Sequence, residues 1–256
     1  MDLDQAARTS WIDNGWVHVV GSLDLDDIER LLDAVGDLVA WADSDGPGLH
    51  HFEQTDHGPA IARSERFADD HAELGAFVRS GPPAALVAAL LDEPAVLFKE
   101  KVNYKQPGGA GFAPHRDAAA YRFVDHHVSV MVPLDAATVD SGCLWFAPGH
   151  REGAMETEPG GRLTEAAAGR LDWRPLEVEP GDLVAFDSYA PHHSDTNRSA
   201  HPRRALYLTY NAARLGDHRA RYYADKDAEF AASGATFDDR RVRISISDDF
   251  LGRPVT

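Results

Sequence analysis

The sequence predicts a mainly β protein with flanking helices: helices first, then a jelly-roll core, then a polar tail. Two observations carry this. Apolar residues at helical spacing dominate the first 94 residues, whereas from residue 95 short β-rich runs alternate with glycine, proline and aspartate turns. No internal repeat or flexible linker interrupts the 256 residues, so we read one domain, with 1–94 mainly helical, 95–215 the core and 216–256 the tail.

The elements follow in order. Residues 24–41 place Ile28, Leu31, Leu32, Val35, Leu38 and Val39 on one helical face, with Asp24 or Asp26 to cap its start. Helical stretches follow near 71–79 and at 83–91. The segment "DSDGPGLHHFEQTDHGPA" between the first two has no clear period and reads as turn-rich. Then come the strand-like runs "AVLFKEKVNYK", "HHVSVMVPLDA", "CLWFA", "LEVEPGDLVAF" and "RRALYLTYNA", with a helical interruption at 162–172. His126 and His127 begin one of these strands, and Trp145 is expected in the core.

Composition excludes several classes. A hydrophobic share of 43% supports a real core, and mixed charges at 26% argue against wholesale disorder. A net charge of -17 repels phosphate backbones and anionic lipid, so neither nucleic acid nor membrane is expected as a partner. The single cysteine, Cys143, rules out an intrachain disulfide and a cysteine-built zinc site. The acidic, polar start "MDLDQAARTSW" is not a targeting signal, and a reducing cytoplasm is the expected location.

The chemistry concentrates in "PHRDAA", where His115 and Asp117 stand two apart. In an extended segment both side chains point the same way and could grip one metal ion, while Arg116 points elsewhere. The pair alone is weak, since solvated H-x-D pairs are frequent. A non-haem iron(II) site needs two histidines and a carboxylate on one face, with open positions opposite. The third ligand has candidates in "APHHSDTNRSAHPRRALYLTYN", where His192 and His193 are adjacent and Arg203 and Arg204 open the next strand. The plain alternative is a pair of loop histidines and two surface arginines.

Taken together, the two segments resemble the phytanoyl-CoA dioxygenase superfamily of iron(II)/2-oxoglutarate oxygenases. Its members carry H-x-D, then a distal histidine, any residue, serine, two spacers and asparagine, with arginine six residues later. Here these are His192, Ser194, Asn197 and Arg203. "DSGCLWFAPGHREG" resembles the family's "NNGCL…PGSH…G" segment, with the serine-histidine order altered, and "EPGDLVAFDS" resembles the turn and strand before the distal histidine. The resemblance covers about residues 96–212. It implies a double-stranded β-helix, a cupin-like jelly roll. It also implies Fe(II) on His115, Asp117 and His192, and 2-oxoglutarate as cosubstrate with O2. Arg203, helped by Ser194, would hold the far carboxylate of 2-oxoglutarate, a role that suits a planar guanidinium. Related halogenases have a small residue where this chain has Asp117, which points here to hydroxylation through an iron(IV)-oxo that abstracts hydrogen.

Strand alternation puts Leu97, Lys99, Lys101, Asn103 and Lys105 on one face of 97–105 and Phe98, Glu100, Val102 and Tyr104 on the other. The lysine face either meets solvent or forms an anion-receiving wall beside the iron. In the wider family the residue matching Asn103 lies close to the active site, which favours the second reading for Lys101 and Asn103. More locally, "LFKEKVNYKQPGGAGFAPHRDA", "FDSYAPHHS", "RRALYLTYNA" and "YYADK" resemble the branch that hydroxylates 2-aminoethylphosphonate or its trimethylated form next to phosphorus. Lysines would suit the phosphonate, and Tyr104 and Tyr121 the other end of a small anionic or zwitterionic substrate. The alternatives are hydroxylation of another such metabolite (an amino acid, a betaine or a natural-product intermediate) and a metal-binding jelly roll without turnover. His50, His51 and His57 read as surface loop or as a lid. Oligomeric state is not legible.

Overall fold

A computed structural model describes residues 3–44, 46–120, 123–151, 153, 155–158, 161–232, 241–243 and 249–255. The chain runs α1 (Gln5–Asn14), β1 (Trp16–Val19), α2 (Leu25–Asp43), β2 (Leu49–Thr55), β3 (Gly58–Glu65), α3 (Ala72–Ser80), α4 (Pro82–Leu91), β4 (Ala95–Lys105), β5 (Phe112–His115), β6 (Val128–Pro133), β7 (Leu144–Phe146), α5 (Glu165–Ala168), β8 (Arg174–Leu176), β9 (Leu183–Asp187), β10 (His192–Ser194), β11 (Arg203–Ala212), α6 (Arg219–Ala232) and β12 (Arg241–Arg243). The strands form two sheets. The larger has the order β1-β9-β6-β11-β4-β3-β2-β12 and the smaller β5-β10-β7-β8. Pairing is antiparallel except between β12 and β2.

Local chemistry explains the helices. Asp24 caps α2 through a reciprocal capping box with Asp27, and Ile28, Leu31, Val35 and Leu38 are buried as their spacing predicts. Gly81 ends α3 and Pro82 starts α4 at a position where its missing N–H costs nothing. By length and composition 72–91 could cross a membrane, but it breaks at Gly81, and Leu74, Val78, Leu86 and Val87 are buried in the core. These helices cover one face of the large sheet, where Val102, Tyr104, Val130, Val132, Leu206 and Leu208 join their cluster. The opposite face carries Lys99, Lys101, Asn103, Ser129, Tyr207 and Thr209 and lines a cavity.

A bulge refines the face assignment in β4. Thr209 pairs with Lys99 but Tyr210 pairs with Leu97, so Phe98 is the extra residue. Leu97 is thereby turned into the helix-side core, away from the lysines with which simple alternation groups it.

Three regions differ from expectation. The turn-rich stretch after α2 contains the β2–β3 hairpin, and His50 and His51 are buried within it, neither surface nor lid; only His57, at the hairpin turn, is exposed. Within 162–172 the α-helix is four residues, capped by Thr164. The polar tail is built into the fold. Arg219 of α6 pairs with buried Glu100, and Asp249 and Leu251 hydrogen-bond along β5.

Candidate active site

β10 lies between β5 and β7, with His192 opposite both His115 and Phe146. Asp117 does not extend β5 as expected. The strand ends at His115, and Asp117 opens a 3-10 turn, Asp117–Ala120, which brings its carboxylate back toward the histidines. The ligating atoms of His115, Asp117 and His192 all lie within 4.8 Å of one another. Arg116 is turned aside and donates to the carbonyls of Gly149 and Gly153.

Hydrogen bonding sets the donor atoms. His115 Nδ1 lies 2.8 Å from the Ala113 carbonyl and His192 Nδ1 lies 3.0 Å from that of Ala190. A carbonyl can only accept, so each ring carries its proton on Nδ1 and keeps the Nε2 lone pair for a metal. Ser129 Oγ donates to Asp117 Oδ2 at 3.1 Å and is in turn held by Thr209 Oγ1 at 3.1 Å. Burial, reinforced by His115, pulls His192 down to about 4, so the ring is neutral at pH 7. Burial alone would raise Asp117, but the neighbouring His192, Lys99, His115 and Lys101 outweigh it and hold the carboxyl ionised. Two neutral imidazoles and a carboxylate on one side of a cavity are the donor set that suits ferrous iron.

The cavity measures about 250 Å³, and Arg63, Lys99, Lys101 and Lys226 all line it. Lys99 and Lys101 come from β4, Arg63 from β3 and Lys226 from α6. Arg63 Nε donates to Asn103 Oδ1 at 3.2 Å, and its Nη1 lies 3.5 Å from Glu65 Oε1. The other Glu65 oxygen accepts from Lys226 Nζ at 2.5 Å. Lys101 Nζ lies 5.4 Å from the Tyr207 ring centroid and 5.8 Å from that of Phe112. Burial pulls Lys99 down to about 8 and Lys101 well below the usual lysine range.

Behind this wall Arg203 and Lys105 are cross-strand partners, both buried. Arg203 Nη1 donates to Tyr207 Oη at 3.2 Å, and its Nε has no hydrogen-bond partner. Lys105 Nζ donates to Ser194 Oγ at 2.9 Å. Tyr207, Ser194 and Asn103 reach the cavity, whereas Arg203 stands one layer deeper, behind Tyr207. Two adjacent buried cations and an unsatisfied guanidinium N–H call for an anion, because such groups are costly to leave unpaired.

Sequence-predicted residues divide accordingly. His115, Asp117, His192, Ser194, Asn103, Lys99 and Lys101 meet at the cavity. Tyr104 does not. It faces the helices, and its hydroxyl donates to Ser64 Oγ at 3.1 Å, so a substrate contact is corrected to a core role. Tyr121 lies outside the described residues. The sequence reading missed Ser129, Tyr207, Arg63, Lys226 and Asp249. Tyr207 was findable, since it shares a strand face with Arg203; Arg63, Lys226 and Asp249 sit in stretches without a local signal.

Residues 11–205 match the phytanoyl-CoA dioxygenase (PhyH) family. The chain belongs to that family. This PhyH protein is 40% identical over 245 residues to methylphosphonate hydroxylase of Gimesia maris, covering 95% of this chain and 94% of the relative. It is 39% identical over 256 residues to 2-aminoethylphosphonate dioxygenase of the uncultured bacterium HF130_AEPn_1, covering 98% of each. Among solved structures, iron-bound EctD from S. alaskensis superposes with a TM-score of 0.70 at 20% identity, covering 83% of this chain and 78% of that one. AviO1 from Streptomyces viridochromogenes Tue57 gives 0.67 at 24% identity, covering 82% and 96%. These structures share the jelly-roll fold. This PhyH protein is an Fe(II)/2-oxoglutarate-dependent oxygenase, and its donor set and deep cations fit the two groups that such an enzyme needs.

Proposed function

We propose that this oxygenase hydroxylates a small phosphonate at the carbon next to phosphorus, with an aminoalkylphosphonate as substrate. One observation carries the reading. In a chain of net charge -17, Arg63, Lys99, Lys101 and Lys226 all converge on the cavity beside the histidine pair. Concentrating cations there costs desolvation and mutual repulsion, and a dianionic ligand offsets both. The printed activities of two relatives near 40% identity, on methylphosphonate and 2-aminoethylphosphonate, support the same class.

His115, Asp117 and His192 would hold Fe(II), which with 2-oxoglutarate and O2 supplies the oxidant for an unactivated C–H bond. The protein's own residues do the rest. The Ala113 and Ala190 carbonyls fix the histidine tautomers, and Ser129 orients Asp117. Arg203, with Ser194 and Lys105 beside it, would receive the far carboxylate of 2-oxoglutarate, and Tyr207 would swing or share its hydroxyl to admit it. Asn103 would border that cosubstrate and hold Arg63 toward the substrate. One oxygen atom of O2 enters the substrate as hydroxyl; the other enters succinate as CO2 leaves.

The test is a panel of alkylphosphonates, carboxylate betaines and acyl thioesters, scored by succinate release together with product mass. A phosphonate gaining one oxygen atom on the carbon bound to phosphorus is the expected result. Turnover of another class with no phosphonate turned over would overturn the reading.

A further inference from the structure

Past α6, the chain returns to the site. The Ala113 N–H donates to the Asp249 carbonyl at 2.7 Å, and the Leu251 N–H donates to the Gly111 carbonyl at 3.0 Å. The Phe250 ring tilts against Phe112 with centroids 5.0 Å apart. Farther on, the Gln54 N–H donates to the Arg253 carbonyl, and Arg253 pairs with Asp56. Residues 249–253 therefore lie along the edge of β5 as an added strap. The strap delivers the Asp249 side chain to the cavity, where Oδ2 lies 3.2 Å from His115 Nε2.

That nitrogen presents its lone pair, because its ring proton is committed to Ala113. A carboxylate beside it needs positive charge close by. The metal is one source, but Asp249 stands outside the group of three whose ligating atoms lie within 4.8 Å of one another. Three protein ligands and a bidentate 2-oxoglutarate leave a single position, which dioxygen requires. A fourth protein ligand would close it. The substrate is the remaining source of positive charge.

The cavity accordingly has two electrostatic halves. The large sheet contributes Arg63 and Lys101, which approach the Phe112 ring at 5.6 and 5.8 Å. The strap on the small sheet contributes Asp249. We infer that Asp249 determines specificity by accepting a charge-assisted hydrogen bond from the substrate's ammonium group, while the cations take its phosphonate. This rests on the phosphonate reading above. The same carboxylate repels a phosphonate that enters reversed, so it sets orientation as well as affinity.

The experiment compares 2-aminoethylphosphonate with ethylphosphonate, which has the same carbon skeleton and no ammonium. Each is measured on wild type, Asp249→Asn and Asp249→Glu. Anaerobic addition of Fe(II) and 2-oxoglutarate, read by the visible charge-transfer band, reports the metal centre separately from turnover. The expected result is a preference for the aminophosphonate in wild type, expressed as the ratio of kcat/KM values. That ratio falls by about tenfold or more in Asp249→Asn, recovers in part in Asp249→Glu, and the band persists in both variants. An unchanged ratio in Asp249→Asn overturns the inference while leaving phosphonate hydroxylation standing. Loss of the band makes Asp249 a metal ligand and overturns it too. Wild type that turns over neither compound defeats the phosphonate reading itself, and this inference with it.

Discussion

His192 stands directly opposite His115 in the β5–β10 pair, and the two rings meet with centroids 4.2 Å apart. The next residue, His193, points to the other side, where its ring stacks on Trp145 and meets the edge of Trp173. Adjacent strand residues face opposite ways, so only one of the two histidines can join His115. Alanine at His115, Asp117 or His192 is expected to abolish both iron retention and substrate oxidation, whereas His193→Ala retains iron. Iron content after anaerobic reconstitution decides this. Loss of iron from His193→Ala but not from His192→Ala would show the register to be wrong.

The two arginines that open β11 separate in the same way. Arg204 is clamped by Asp135, with two side-chain contacts of 2.8 Å, and is one-third exposed. Arg203 is buried beside Lys105 with an unpartnered Nε. Arg203→Ala is therefore expected to raise the KM for 2-oxoglutarate by about tenfold or more, and Arg204→Ala far less. Steady-state kinetics at saturating substrate measure both, and equal effects would refute the assignment.

Ser129 holds Asp117 through one hydrogen bond, with Thr209 behind it. Ser129→Ala keeps all three ligands and removes only the group that orients the carboxylate. A loss of about 10–100-fold in iron affinity is expected, read by competition with a chelator. Wild-type affinity in that variant would mean that the 3-10 turn alone positions Asp117.

Legibility followed the kind of force that shapes each element. The core strands and α2 bury apolar residues at regular spacing, so their pattern is visible in the chain. The lysine face of β4 was visible for the same reason, although the bulge at Phe98 moves Leu97 off it. Alternation also set Tyr104 opposite Lys101, and the helices covering that side bury it. The hairpin around His50 and His51 was hidden because its buried side chains are polar and satisfied by partners far along the chain. α6 was hidden because ion pairs, rather than a continuous apolar stripe, anchor it. Asp249 matters only because of where the strap runs, which no local pattern encodes.

The anchor of α6 can be tested directly. Arg219 Nε donates to Glu100 Oε2 at 2.9 Å, and Glu100 is fully buried, with its other oxygen accepting from the Ala68 N–H at 3.0 Å. Arg219→Met leaves that carboxylate without its cation, and a loss of about 3–5 kcal/mol of stability is expected in urea denaturation. Adding Glu100→Gln removes the uncompensated charge and should recover part of the loss. If the double variant is no better than the single, the cost lies in packing rather than charge.

His51 should make the protein acid-sensitive in a defined window. It is fully buried, 3.0 Å from Glu65 Oε1, and burial pulls it down to about 4 despite that carboxylate. The unfolded chain takes up the proton near pH 6.5, whereas the folded chain resists until about pH 4. The unfolded state therefore binds more protons between these values. Stability from this group is complete above pH 6.5 and is lost as the pH falls toward 4. From pH 7 to 5 the loss is about 2 kcal/mol. Glu65 lies below its usual range and titrates under this window, so it does not mask the effect. His127, held near 3 mainly by burial, adds to the same slope, so the comparison must be with a variant. In urea denaturation of the metal-free protein, His51→Gln is expected to lose about 2 kcal/mol less than wild type between pH 7 and 5; equal losses would mean that His51 is protonated in the folded state.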